Sequence, residues 1–233
     1  MAKKTKKLSE KPTQAEKSVG EILSKTDQFI DQYFKQILIG LGVIVAIVVG
    51  SILTHQYYLK PRKINAENAL SPAQEFYANQ QWDIALNGDD VDCIGFLGVI
   101  EEFGGTPSAN LAKAYAGLCQ YQLGDYEEAL KTLKSYKGKD RLFAAQIIGA
   151  IGDCEVRLDN VKEGISHFRK AADRANSSLL SPIYLRKAAI AYESIGDYKA
   201  ALEIYTTIQS KYPQSQEAST IDKFIERAKI MMQ

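Results

Sequence analysis

The chain is poor in the residues that most often carry chemistry. It has 233 residues, with two histidines, His55 and His167, and three cysteines, Cys93, Cys119 and Cys154. Two histidines leave little for a metal or acid–base cluster, and three cysteines are too few and too odd to staple a secreted scaffold. An excess of one charge is also lacking. Lys and Arg number 29 against 28 Asp and Glu, a formal net charge of +1 that excludes the overall basic footprint of a nucleic-acid binder. There is no G-x-S-x-G, no phosphate loop, no H-E-x-x-H and no C-x-x-C. Acidic pairs such as Glu101-Glu102 and Glu127-Glu128 are sequence neighbours, so on a helix they diverge instead of converging on a substrate. These absences point away from an enzyme and predict neither cofactor nor metal. No run alternates with period two for long enough to suggest a sheet, so the expected fold class is all-α. The 45% hydrophobic and 24% charged content is that of a folded chain.

One absence is local. Nothing between Gln36 and Leu59 is charged, and the stretch is rich in Ile, Leu and Val. As a helix, these residues reach about 36 Å, enough to cross a hydrocarbon core of about 30 Å. Tyr33 and Phe34 at one end and Tyr57 and Tyr58 at the other suit two membrane–water boundaries. Residues 36–59 are therefore expected to form one transmembrane helix. A buried core helix seldom lacks a polar stripe for this length. A cleaved signal peptide would begin earlier, be shorter and carry a small-residue cleavage site. The lysines and arginines nearest the span tie, three on each side. Lys3, Lys4, Lys6, Lys7 and Lys11 then favour a cytoplasmic N-terminus. Residues 1–13 are expected to be a basic disordered tail. Residues 14–35, with Val19, Ile22, Leu23, Phe29 and Ile30 at helical spacing, are expected to form an amphipathic juxtamembrane helix. It either lies along the inner leaflet or docks a partner's membrane helix.

Beyond the span, the chain repeats itself. Leu123-Gly-Asp-Tyr-Glu-Glu-Ala-Leu130 returns as Ile195-Gly-Asp-Tyr-Lys-Ala-Ala-Leu202, with a worn copy, Leu158-Asp-Asn-Val-Lys-Glu-Gly-Ile165, between them. Seven residues before each turn glycine or its equivalent stands a small residue (Gly117, Gly152, Ala189). Nine after it stands a large one (Leu133, Phe168, Tyr205). Small positions where helices cross, each filled by a large neighbour, are the pattern of stacked helix pairs. Cys119 and Cys154 obey the same offset, with Ala191 in the third copy, and so read as packing residues.

Period, turn and small positions together resemble the tetratricopeptide repeat, over units spanning 110–213. A degenerate first repeat with an insertion is expected over 60–109, its Asn87 to Asp92 stretch an acidic turn more than a calcium loop. Thr106-Pro107 and Ser181-Pro182 read as helix starts, each with a capping hydroxyl and proline in the first turn. A capping helix is expected over 214–233, from about Ser215 to Met232. The whole is then an α-solenoid of three to four helix pairs behind one N-terminal membrane helix. The resemblance implies a partner-binding groove lined by the first helix of each pair. Carried over residue by residue, that groove is Ala114, Leu118 and Tyr121; Gly149, Asp153 and Val156; Arg186, Ile190 and Glu193. The set is mostly apolar and lacks the Lys/Asn arrangement that clamps a terminal carboxylate. A hydrophobic peptide, a partner helix or self-association therefore fits better.

The order of basic tail, amphipathic helix, span and external repeats also resembles the YfgM-like ancillary subunit family of the bacterial Sec translocon. The Gly105-Thr-Pro-Ser-Ala-Asn-Leu-Ala112 stretch is comparable to a helix start in that family. This resemblance implies a single-pass inner-membrane scaffold with its C-terminal domain in the periplasm, meeting translocon components or chaperones. The alternative is a structural envelope protein whose repeats build homo-oligomers. Residues 60–233 carry 21 basic and 23 acidic side chains, which offers no steering toward nucleic acid.

Overall fold

The computed structural model describes residues 14–89 and 91–233, with side chains from residue 33 onward apart from Ile37. The expected basic tail at 1–13 lies outside the described residues, as do the side chains that would make 14–32 amphipathic. Every regular element among the described residues is helical. The chain divides into two units, one ending at Lys60 and the other running from Pro61 to Gln233.

The first unit is helix α1 (Gln14–Thr54) followed by one π turn at His55–Leu59. Ile and Val are stiff in a helix and cost it a little, but Ile, Val and Leu here have no competing polar side chains. Leu38, Ile39, Leu41, Ile44, Ile47 and Ile52 are exposed, and the apolar window of this helix has no buried residue. By length and composition the helix suffices to cross a membrane.

Among the described residues the second unit stacks ten helices. The first three are α2 (Lys60–Ala78), α3 (Trp82–Asn87) and α4 (Gly95–Glu102). Four more follow as α5 (Pro107–Leu123), α6 (Tyr126–Ser135), α7 (Arg141–Arg157) and α8 (Val161–Ala175). The last three are α9 (Leu180–Ser194), α10 (Tyr198–Lys211) and α11 (Asp222–Met231). Helices α5–α6, α7–α8 and α9–α10 are the three repeated pairs. The degenerate region 60–109 is three helices. Its core joins Ala66 and Leu70 of α2 to Phe96 and Val99 of α4 and Ala112 of α5. The Tyr115 ring of α5 stacks on Phe96 at 5.3 Å and meets Tyr77 edge-on at 5.0 Å. Arg62 donates to the carbonyls of Glu102 and Gly104 (2.9 and 3.2 Å), satisfying acceptors that the end of α4 leaves open. Within the expected acidic turn, Asp89 Oδ1 accepts the N–H groups of Val91, Asp92 and Cys93, and Asp90 lies outside the described residues. Those bonds, led by Cys93, hold the Asp89 carboxyl below the usual range.

The small-and-large pattern has a direct geometric cause. A Cβ on Gly117 would stand 2.6 Å from Leu133 Cγ, and one on Gly152 would stand 2.8 Å from the Phe168 ring. Ala189 is fully buried in one cluster with Tyr205. Within each pair, then, the large residue of the second helix sits over the small residue of the first. The turns behave as their residues dictate. Gly124 and Gly196 take left-handed backbone (φ 93° and 79°), and the worn copy forces Asp159 into the same region (φ 63°).

Helix starts follow local chemistry, with two corrections. Thr106 caps α5 by accepting the Ala109 N–H (3.1 Å), with Pro107 first in the helix. Ser181, expected to cap α9, lies inside it. Its buried hydroxyl donates to Ala172 O of α8 (2.7 Å), and Ser177 receives the Leu179 and Leu180 N–H groups instead. The terminal helix starts at Asp222, later than the expected Ser215. The chain after Pro213 is spent on turns and a 3₁₀ turn at Ala218–Thr220, where Ser215 accepts the Ala218 N–H. Ile221 and Ile225 still face inward and cover Tyr205 and Ile208 of α10, and Ala228 is fully buried.

Candidate functional site

The nine expected groove positions lie on α5, α7 and α9, the first helices of the three pairs. They do not all reach solvent. Ala114 is fully buried, and Gly149 is covered by Tyr184, whose ring would stand 2.3 Å from an added Cβ. These two set helix spacing. Leu118, Tyr121, Asp153, Val156, Arg186 and Glu193 are half-buried, and Ile190 is 43% exposed.

Both acidic positions are occupied by structural partners. Asp153 of α7 receives Lys187 Nζ of α9 on both oxygens (2.8 and 2.6 Å). Glu193 of α9 is held by Arg227 of α11, with Nε donating to Oε1 at 3.3 Å and Nη2 donating to Oε2. Each pair links a first helix to the helix one repeat later, 34 residues on. A planar guanidinium grips a carboxylate on both oxygens, so the second tie is the more directional. Lys187 and Arg227 escape inspection of single motifs. The signal for them was opposite charge at one repeat period, 153 with 187 and 193 with 227.

What remains open is apolar, with one cation. Leu118, Tyr121, Val156 and Ile190 offer apolar surface across the pairs. Arg186 Nε is buried and has no acceptor among the described residues, and a buried donor without a partner is costly. Around the Tyr121 ring, Tyr126 stands at 5.4 Å and Arg157 lies over Tyr126 at 5.8 Å.

Groups with reactive potential are otherwise committed. Burial pushes the Cys119 and Cys154 thiols up to about 12, which leaves them protonated and unreactive near neutrality. Cys93 is shifted the same way, first by burial. Burial also lowers the His167 imidazole, which favours its neutral form. Burial raises Tyr205 to about 12, with the Glu193 charge adding to it. Among the described residues no three acidic, histidine or cysteine side chains gather into a metal-binding group.

Comparison with known proteins decides the nature of the stack. Two family models described as tetratricopeptide repeat match residues 96–142 and 184–215. The chain carries tetratricopeptide repeats. The two tetratricopeptide matches lie on either side of the worn copy, where Asp159 and Gly164 depart from the pattern while α7 and α8 keep the pair geometry. The structure is similar to that reported as the crystal structure of MamA protein. The TM-score is 0.53 at 16% identity, over 72% of this chain and 87% of that one, a likeness of fold alone. No curated protein matches the sequence.

Proposed function

We propose that this chain is a membrane-tethered scaffold that holds other proteins by its tetratricopeptide groove and catalyses nothing itself. The observation that carries the reading is the groove surface. Leu118, Tyr121, Val156 and Ile190 are partly exposed on successive first helices, while Asp153 and Glu193 are neutralised within the domain. Such a surface favours the apolar face of a partner segment over a charged terminus. The exposed apolar window of α1 supports a membrane tether, which we assign to the bacterial inner membrane, and the lysine-rich tail supports a cytoplasmic N-terminus. The repeat domain then stands in the periplasm, where translocon components and chaperones are candidate partners. Tethering would raise the effective concentration of whatever it holds.

Photo-crosslinkers placed at Leu118 and Ile190 in intact cells test this reading, with Glu163 of α8 as the off-groove control. Adducts with other proteins from the two groove positions, and none from Glu163, are expected. Adducts only between copies of this chain would favour a self-assembling structural protein. A reporter fused after Gln233 that is active only in the cytoplasm would overturn the assigned side of the membrane.

A further inference from the structure

The second helices of the three pairs are unequal. Helix α6 has 10 residues, whereas α8 has 15 and α10 has 14. In α8 the final turn carries Ala171, Ala172 and Ala175 onto Tyr184 of the next helix, and all four are buried together. The matching stretch after α6 is not helical. Asn110 of α5 holds Lys137 by both backbone groups, accepting its N–H (3.0 Å) and donating to its carbonyl (3.2 Å). Asp140 then turns the chain into α7 by capping Phe143 N–H (2.7 Å). The missing turn leaves a cleft of about 410 Å³ between α6 and α7. Its apolar wall is Leu133, Ile147, Ile148 and Ile151, and Lys134, Lys137 and Arg174 also line it.

The cations around this cleft are mostly uncompensated. Lys134 pairs with Glu155 (2.8 Å), and Arg174 donates to the Lys139 carbonyl (2.9 Å). Of the lining cations, Lys137 and Arg174 form no ion pair among the described residues, and neither do Lys139 and Arg141, which follow Lys137 in sequence. Asp140 is the only acid between Lys131 and Arg141, and its carboxylate serves the helix cap. From the recessed apolar floor and this one-signed rim, we propose that the α6–α7 cleft is a second docking site, distinct from the groove. Its occupant is a partner protein's acidic peptide segment that inserts one apolar side chain. The floor favours a protruding side chain over a bilayer, because Ile147 and Ile151 are only 2% and 7% exposed. The chain's own lysine-rich N-terminal segment carries the same sign as the rim and so lacks the complementary charge.

The test uses the full chain in phosphatidylcholine nanodiscs and a fluorescent decapeptide with one Phe among Asp and Glu residues, read by anisotropy. Saturable binding that weakens with salt is expected. Replacing the peptide's Phe by Ser should weaken it at least about tenfold. The exposed double substitution Lys137→Glu/Lys139→Glu should do the same and flatten the salt dependence, with helix content unchanged. Ile148→Asn should also weaken binding, testing the floor separately from the rim. Equal binding by wild type and the charge-reversed variant, equal binding of the Ser peptide, or no binding at about millimolar peptide overturns the proposal. So does loss of peptide binding on adding phosphatidylglycerol to the disc, which would assign the rim to lipid. Crosslinking of two copies through Ile148 would make a second copy the occupant and overturn it as well.

Discussion

At the scale of single residues, the stack is held by alternating deletion and excess of side-chain volume. Gly152 has no room for a methyl group, because the ring of Phe168 and the Gly164 carbonyl close the space. Gly152→Ala should therefore destabilise the domain by about 1–2 kcal/mol, despite the better helix propensity of alanine. Asp159 works in the opposite sense. It holds a left-handed conformation that glycine adopts freely in the other two turns. Asp159→Gly should cost nothing or stabilise, by up to about 1 kcal/mol. Urea unfolding of both variants beside wild type checks the pair. A stabilised Gly152→Ala would contradict the packing account. The small and large positions were legible in the sequence because they recur at one offset. The burial of Ala114 and Gly149 was not, since a groove position and a helix-crossing position share the same small residue types.

At the scale of elements, helices are tied by few polar links, so each can be assigned. The main one between α6 and α7 is Lys134 to Glu155, reinforced by Asn160 Nδ2 to Glu155 Oε2 at 3.0 Å. Burial pushes the Glu155 carboxyl up, but the bonds from Lys134 and Asn160 and the Lys134 charge outweigh it and hold the group below the usual range. A carboxyl depressed in the folded state stabilises above its unfolded pKa of about 4.3 and loses that contribution as pH falls through the folded value. Wild-type stability should therefore fall more steeply below about pH 4 than that of Glu155→Gln, as read from thermal midpoints across a pH series. Parallel curves for the two proteins would show that the link contributes nothing. The displaced starts of α9 and α11 belong to this scale too. Ser-Pro reads as a cap locally, but a neighbouring helix offered the Ser181 hydroxyl a buried carbonyl acceptor.

At the scale of the molecule, the repeat domain needs an end. Helix α11 covers Tyr205 and Ile208 and carries Arg227 to Glu193, standing where the first helix of a further repeat would stack. Its Phe224 ring lies 5.5 Å from Tyr205 and 4.9 Å from the Arg227 guanidinium. Ending the chain before Ile221 should expose that apolar face, lower the unfolding midpoint of the domain and produce soluble aggregates visible by light scattering. A truncated domain that stays monomeric with an unchanged midpoint would show that α11 is an appendage and not a cap.

By itself the sequence determined the all-helical class, the repeat period, the turn positions, the small-over-large contacts and the apolar helix before Lys60. Each of these is written in local spacing, which a helix converts into one face. Tertiary structure alone decided which groove residues reach solvent, and it closed the ion pairs that opposite charge at a 34-residue spacing only allowed. It also decided where α11 begins and that a short α6 leaves α7 partly uncovered. Those outcomes depend on which face of one helix meets which face of another, and sequence spacing along a single helix carries no record of that.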